Sequence, residues 1–147
     1  MVDHLARPEG VSSIPTIRRR LASLLYESLL MLGVLSVAFM VPHVAMGMAF
    51  GWVAPSFVLV IHLAGVLAAY FLWYWQHGGQ TLAMQTWRVV LVAAEGGPAP
   101  ISRLVLRFLL AWPSLLFYGV GIIWALLDRD RQFLHDRLAG TRIVFKQ

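Results

Sequence analysis

Residues 21–41 read LASLLYESLLMLGVLSVAFMV, twenty-one positions carrying a single charge, Glu27. As a helix rising about 1.5 Å per residue this stretch is roughly 31 Å long, which matches the hydrocarbon core of a bilayer. It predicts a membrane-spanning helix that follows Arg18, Arg19 and Arg20 and closes at Pro42, whose ring disfavours a continuing helix. A cleaved signal peptide fits less well. The polar lead is 20 residues long, and the apolar core exceeds the usual length of about 7 to 15.

Working outward, a second run from Ser56 to Trp75 spans 20 residues and opens after Pro55, a residue suited to a helix start. Tyr70, Trp73, Tyr74 and Trp75 gather at its far end, where amphipathic rings favour the headgroup region. The 13-residue connection Pro42–Ala54 contains no Lys or Arg, whereas four precede the first run and three lie between Trp75 and Phe108. By the positive-inside rule the N-terminus and the segment after the second helix are cytoplasmic. A third run, Phe108–Leu127, is uncharged but contains Pro113, Gly119 and Gly121. If it spans, five basic residues of the C-terminal tail lie on the wrong side. If it breaks near Pro113 and returns, all 12 Lys and Arg share one side, with arms too short to cross and buried against the first two helices. The returning form is favoured because Trp87–Val92 and Thr141–Phe145 are both β-branched stretches, and pairing them requires the same compartment.

Composition agrees. The 147-residue chain is 59% hydrophobic and 13% charged, against about 25% charged in soluble domains. A water-soluble fold would be left with wide apolar patches. The absence of cysteine excludes disulfides, thiolate metal sites and cysteine nucleophiles. Net charge is +5, but the bases sit at the ends of apolar runs rather than on one face, so they read as topology signals and not as a nucleic-acid surface. The expected fold is an all-α integral membrane protein: two spanning helices, a third hydrophobic segment kinked at Pro113, and a small cytoplasmic β pairing. Residues 1–17, with Pro8, Gly10 and Pro15, read as a mobile tail before a membrane domain over 18–147.

Glu27 carries the functional question. It lies two turns beyond Arg20 on the same helix face, roughly 10 Å into the membrane, where a charge costs on the order of 2 to 3 kcal/mol and needs a protein or water partner. It fits an ion or proton site. It equally fits a structural pair with Arg20 or Arg107, or a protonated carboxyl bonded to Tyr70, which depth arithmetic places at the same level. His62 lies roughly 10 Å deeper; it reads as a relay partner or, more simply, as a neutral imidazole bonded to a backbone carbonyl or Ser36. His135-Asp136 lacks a second His or Cys at ligand spacing, so no metal site is expected. Asp136 is expected to meet Arg20, Arg103 or Arg107. No nucleophile elbow and no phosphate-binding glycine-lysine loop occurs, and no enzyme activity or cofactor is expected.

Three motifs carry a resemblance: Arg20–Glu27 (RLASLLYE), Gly79–Met84 (GQTLAM) and Trp124–Thr141 (WALLDRDRQFLHDRLAGT). Together they resemble the RDD family of small bacterial membrane proteins, over about residues 16–145. The chain carries Glu27 where the family usually has an aspartate, and Ala83 and Gln85 where many members have a glycine-lysine. The resemblance implies an inner-membrane, multi-pass protein, with transport of ligands or ions suggested and no common reaction. The expected site is therefore Arg20, Glu27, Arg107 and Asp136, with Tyr70, His62 and His135 as accessories. The leading function is ion or small-solute binding or movement through an oligomer. The alternative is a non-transporting membrane partner, an assembly or anchoring subunit whose charged cluster is structural.

Overall fold

A computed structural model describes residues 14–117 and 119–146; most of the expected N-terminal tail, residues 1–13, lies outside them. Helix α1 (Ile17–Leu35) begins where the Thr16 hydroxyl accepts the Arg19 amide at 3.4 Å, a side-chain cap on an otherwise unpartnered donor. The helix does not close at Pro42. It passes through a π-helical segment, Ser36–Met40, into α2 (Val41–Phe50), giving one 34-residue rod from Ile17 to Phe50. The reason is local: proline lacks the N–H and crowds the carbonyl four residues back. The Val41 amide bonds Ser36, five residues back, and this wider turn sits immediately before the ring. At about 51 Å the rod exceeds a bilayer core. It ends at Gly51, whose φ of 65° makes a left-handed cap. The connection to α3 (Ser56–Gln76) is thus five residues, 51–55, rather than thirteen.

Rod and α3 form a hairpin, and both are long and apolar enough to cross a membrane. Their outer faces are bare: Leu32 is 65% exposed and Ile61 67%. In water that surface would drive association; against lipid it needs no cover.

The compact part lies at the Ile17 end. There α4 (Leu82–Thr86), β1 (Val89–Ala93), α7 (Leu134–Ala139) and β2 (Thr141–Phe145) form a cap. The two strands pair antiparallel, with Val89 opposite Phe145, Leu91 opposite Ile143 and Ala93 opposite Thr141, as the two β-branched stretches predict. Val89, Leu91 and Ile143 turn inward onto Met84, Leu104 and Trp75. Gly79 lets the chain run against β1: it accepts the Leu91 amide at 2.8 Å, and a Cβ there would stand 2.6 Å from the Leu91 carbonyl oxygen.

The third apolar run breaks, but not at Pro113. Helix α5 (Ile101–Leu116) carries Pro113 inside it, and the reversal falls just after, with Gly119 at φ 69° opening α6 (Val120–Leu127). Helix α6 folds back so tightly that a Cβ on Gly121 would overlap the Ser114 hydroxyl. Arms of 16 and 8 residues are about 24 and 12 Å long. The chain then returns to the cap, where α7 packs on α5 and β2 joins β1.

Candidate charged cavity between the long helices

Glu27 is held across the hairpin. Tyr70, on α3, donates its hydroxyl to one carboxylate oxygen at 2.8 Å, and Thr81 donates to the other. Thr81 is also the N-cap of α4, accepting the Met84 amide at 3.3 Å. One hydroxyl therefore fixes the start of the cap and reaches the acid in the first helix. Of the alternatives open for Glu27, Tyr70 is the partner observed, and among the described residues no ion pair joins Glu27 to a guanidinium.

Arg20 turns the other way. Its side chain, 1% exposed, donates to the Ile143 carbonyl at 3.1 Å, to Gln132 at 3.3 Å and to the Arg131 carbonyl. It ties the first helix to the C-terminal loop and β2. The shared helix face of Arg20 and Glu27 thus does not make them a pair. Arg107 takes Asp136 instead, Nε to carboxylate oxygen at 2.5 Å, with its guanidinium 4.3 Å from the centroid of the Trp75 ring. Of the three arginines open to Asp136, Arg103 is engaged elsewhere, on Glu95 at 2.6 Å and the Gly140 carbonyl at 3.0 Å.

His135 lies beside that pair. Its Nδ1 is 3.3 Å from the Ser114 hydroxyl, its ring stacks on Phe133, and its Nε2 is 3.9 Å from Asp136. Burial pushes the imidazole down to about 4, so it is neutral near pH 7. Among the described residues no group of three or more His, Cys, Asp or Glu gathers at metal-binding distance.

Arg20, Glu27, Arg107 and Thr81 all border one cavity of about 380 Å³ between the first helix, α3 and the cap, continued by Leu24 and Phe71. Asp136 joins it through Arg107. His62 does not. It lies toward the other end of the hairpin, where its Nδ1 is 2.9 Å from Nε2 of His43. Neither a carbonyl nor Ser36 is its partner, since the Ser36 hydroxyl is spent on Leu32 at 2.6 Å. A helix end at Pro42 leaves His43 in a connection, whereas the continuing helix Val41–Phe50 carries it to His62. Thr81, Gln132 and Ser114 were missed as contacts; Thr81 and Gln132 fall within the quoted motifs, but spacing alone does not say what a hydroxyl or amide touches.

Two long apolar helices joined to a cap that buries two arginines and an aspartate define a small helical protein of the membrane type. The model of the RDD family matches residues 14–140, and the chain belongs to that family. It is also similar to an uncharacterized protein of Rickettsia prowazekii (strain Madrid E), 32% identical over 80 residues, which cover 54% of this chain and 44% of that one. The match thus spans less than half of that relative's length. No solved structure matches.

Proposed function

We propose that this protein is a transport-related component of the bacterial inner membrane that binds an ion or small solute at Glu27. One observation carries the reading: a carboxylate within an apolar helix borders a cavity and is held by two hydroxyls rather than neutralised by an arginine. An acid kept only to lock helices is best paired or replaced by apolar packing. Here the ionic locking falls to Arg107 with Asp136, while Arg20 adds its carbonyl ties, and Glu27 is left to bind. Intramembrane acids that face cavities generally mark ion pathways.

A single hairpin encloses no pathway between its own two helices, so movement across the membrane uses several copies or a second membrane protein. The Lys and Arg distribution supports a cytoplasmic N-terminus and cap. The competing role, an anchoring subunit with a purely structural cluster, draws on the Arg107–Asp136 pair and on the Tyr70–Glu27 bond across the hairpin. Reconstituted protein separates the two: ion or proton flux that Glu27→Gln abolishes while the fold is retained supports transport. Flux that is absent in the unaltered protein, or indifferent to the substitution, refutes it. A reporter fused after Gln147 tests topology, with a periplasmic signal counting against the cytoplasmic cap.

A further inference from the structure

From Ser28 to Trp87 the chain contains no Asp, Glu, Lys or Arg. Across that stretch, which includes all but about two turns of the hairpin's apolar length, the groups able to gain a proton near neutrality are His43, His62 and His77. His77 caps α3 at the cap end and bonds the Trp73 carbonyl at 2.9 Å. The other two have found each other. His43 Nε2 and His62 Nδ1 stand 2.9 Å apart, one ring donating and the other accepting. Phe39 packs against both imidazoles, with centroids at 5.1 and 5.4 Å.

The backbone helps to set this meeting. His43 follows the π-helical segment Ser36–Met40 and Pro42 directly. An extra residue in one turn rotates everything beyond it by about 100° relative to an unbroken α-helix. Segments of this kind are frequent at functional sites, and here the segment itself packs on α3.

We infer that His43 and His62 form a proton-binding dyad, a second ion-binding station between the same two helices that hold Glu27. Its chemistry balances simply. The neutral dyad already shares one N–H···N bond, and an added proton goes to the outer nitrogen of the donor ring, Nδ1 of His43 or Nε2 of His62. The product is an imidazolium donating to a neutral imidazole, a charge-assisted bond stronger than the one it replaces. A second added proton would set two cations against each other, so the dyad takes up one. Among the described residues, the elements packed around it present Phe39 and no charged side chain from Ser28 to Trp87, so no carboxylate competes for that proton and no cation there opposes it. Sixteen residues separate Glu27 from His43, about 24 Å along the helix, so the two stations divide the hairpin between them. The role of the dyad in flux rests on the transport reading; its binding of a proton does not.

The test is ring-nitrogen NMR of histidine-labelled full-length protein in lipid nanodiscs, titrated between about pH 8 and pH 5, together with His43→Gln and His62→Gln. The expected result is that both rings move with one common midpoint and gain one charge between them. In each variant the midpoint of the remaining ring moves by about half a unit or more. Rings that titrate with separate midpoints indifferent to the partner's removal, that both become charged, or that do not titrate at all overturn the dyad. The unaltered protein alone decides most of this, so a variant that fails to fold does not stop the test. Because no flux is read, a dyad that behaves as one unit in a protein that moves no ion means failure of the transport reading only.

Discussion

The Tyr70 hydroxyl donates to the Glu27 carboxylate at 2.8 Å, bridging the two long helices beside the cavity that Glu27 lines. The bond fixes where the helices face each other. Together with Thr81 it gives the carboxylate two donors and leaves its remaining acceptor capacity to the cavity.

Removing that donor has a defined cost. Tyr70→Phe keeps the ring and deletes the hydroxyl, so it should lower stability by about 1 to 3 kcal/mol, the range for leaving a buried polar group without its partner. Thr81→Val should cost as much again and also loosen the start of α4, where Thr81 caps the Met84 amide. Thermal unfolding of the two variants in detergent checks this; unchanged midpoints would show that the hydroxyls do not hold the acid.

The Arg107–Asp136 pair behaves differently because both side chains are buried. Asp136→Ala leaves a guanidinium without its partner and should cost about 3 to 5 kcal/mol, as should Arg107→Ala. Replacing both at once with Arg107→Met and Asp136→Leu should cost much less than the sum, since two desolvated charges vanish together. A denaturation cycle over the four proteins measures the difference.

Acidity should act through His135. Its imidazole is pushed down to about 4 by burial, against about 6.5 in an unfolded chain. Between those values the unfolded chain binds more protons than the folded one, so stability rises with pH there. The contribution is full above about pH 6.5 and lost as pH falls toward 4; it amounts to about 3 kcal/mol at most. His135→Gln should flatten that slope in a pH series of unfolding midpoints.

The reversal after α5 depends on the absence of one carbon. Gly121→Ala would press a methyl into the Ser114 hydroxyl and should cost about 1 to 3 kcal/mol, the range for overpacking. Ser114→Gly in the same chain should recover part of it. Unfolding midpoints of the single and double variants decide; an additive loss would mean the helices do not approach here.

Much of this architecture was legible in the residues. The two long helices follow from uninterrupted apolar runs, because a bilayer-length helix needs little else to define it. The strand pairing followed from two β-branched stretches that cannot stand alone. Helix ends were less legible. Pro42 read as a terminator, yet a π-helical segment absorbed it, and Pro113 read as the break that Gly119 in fact provides. A proline excludes one hydrogen bond and one region of backbone space; whether the chain stops or adjusts around it depends on what the next turn packs against.

For the site, residue types and depths sufficed to select Arg20, Glu27, Arg107 and Asp136 as the charges needing partners, since each would be costly if buried alone. They did not say who meets whom. Arg20 and Glu27 share a helix face yet turn apart, because the C-terminal loop supplies carbonyls to one while α3 and Thr81 supply hydroxyls to the other. His62 and His43 are nineteen residues apart, and only the folded hairpin, with its five-residue connection, brings them to hydrogen-bond distance. By itself the sequence determined that this chain has two helices long and apolar enough to cross a membrane and which of its charges are costly to bury. The tertiary structure alone decided their partners, because pairing depends on the rotation and register of packed helices, which hydrophobic runs leave open.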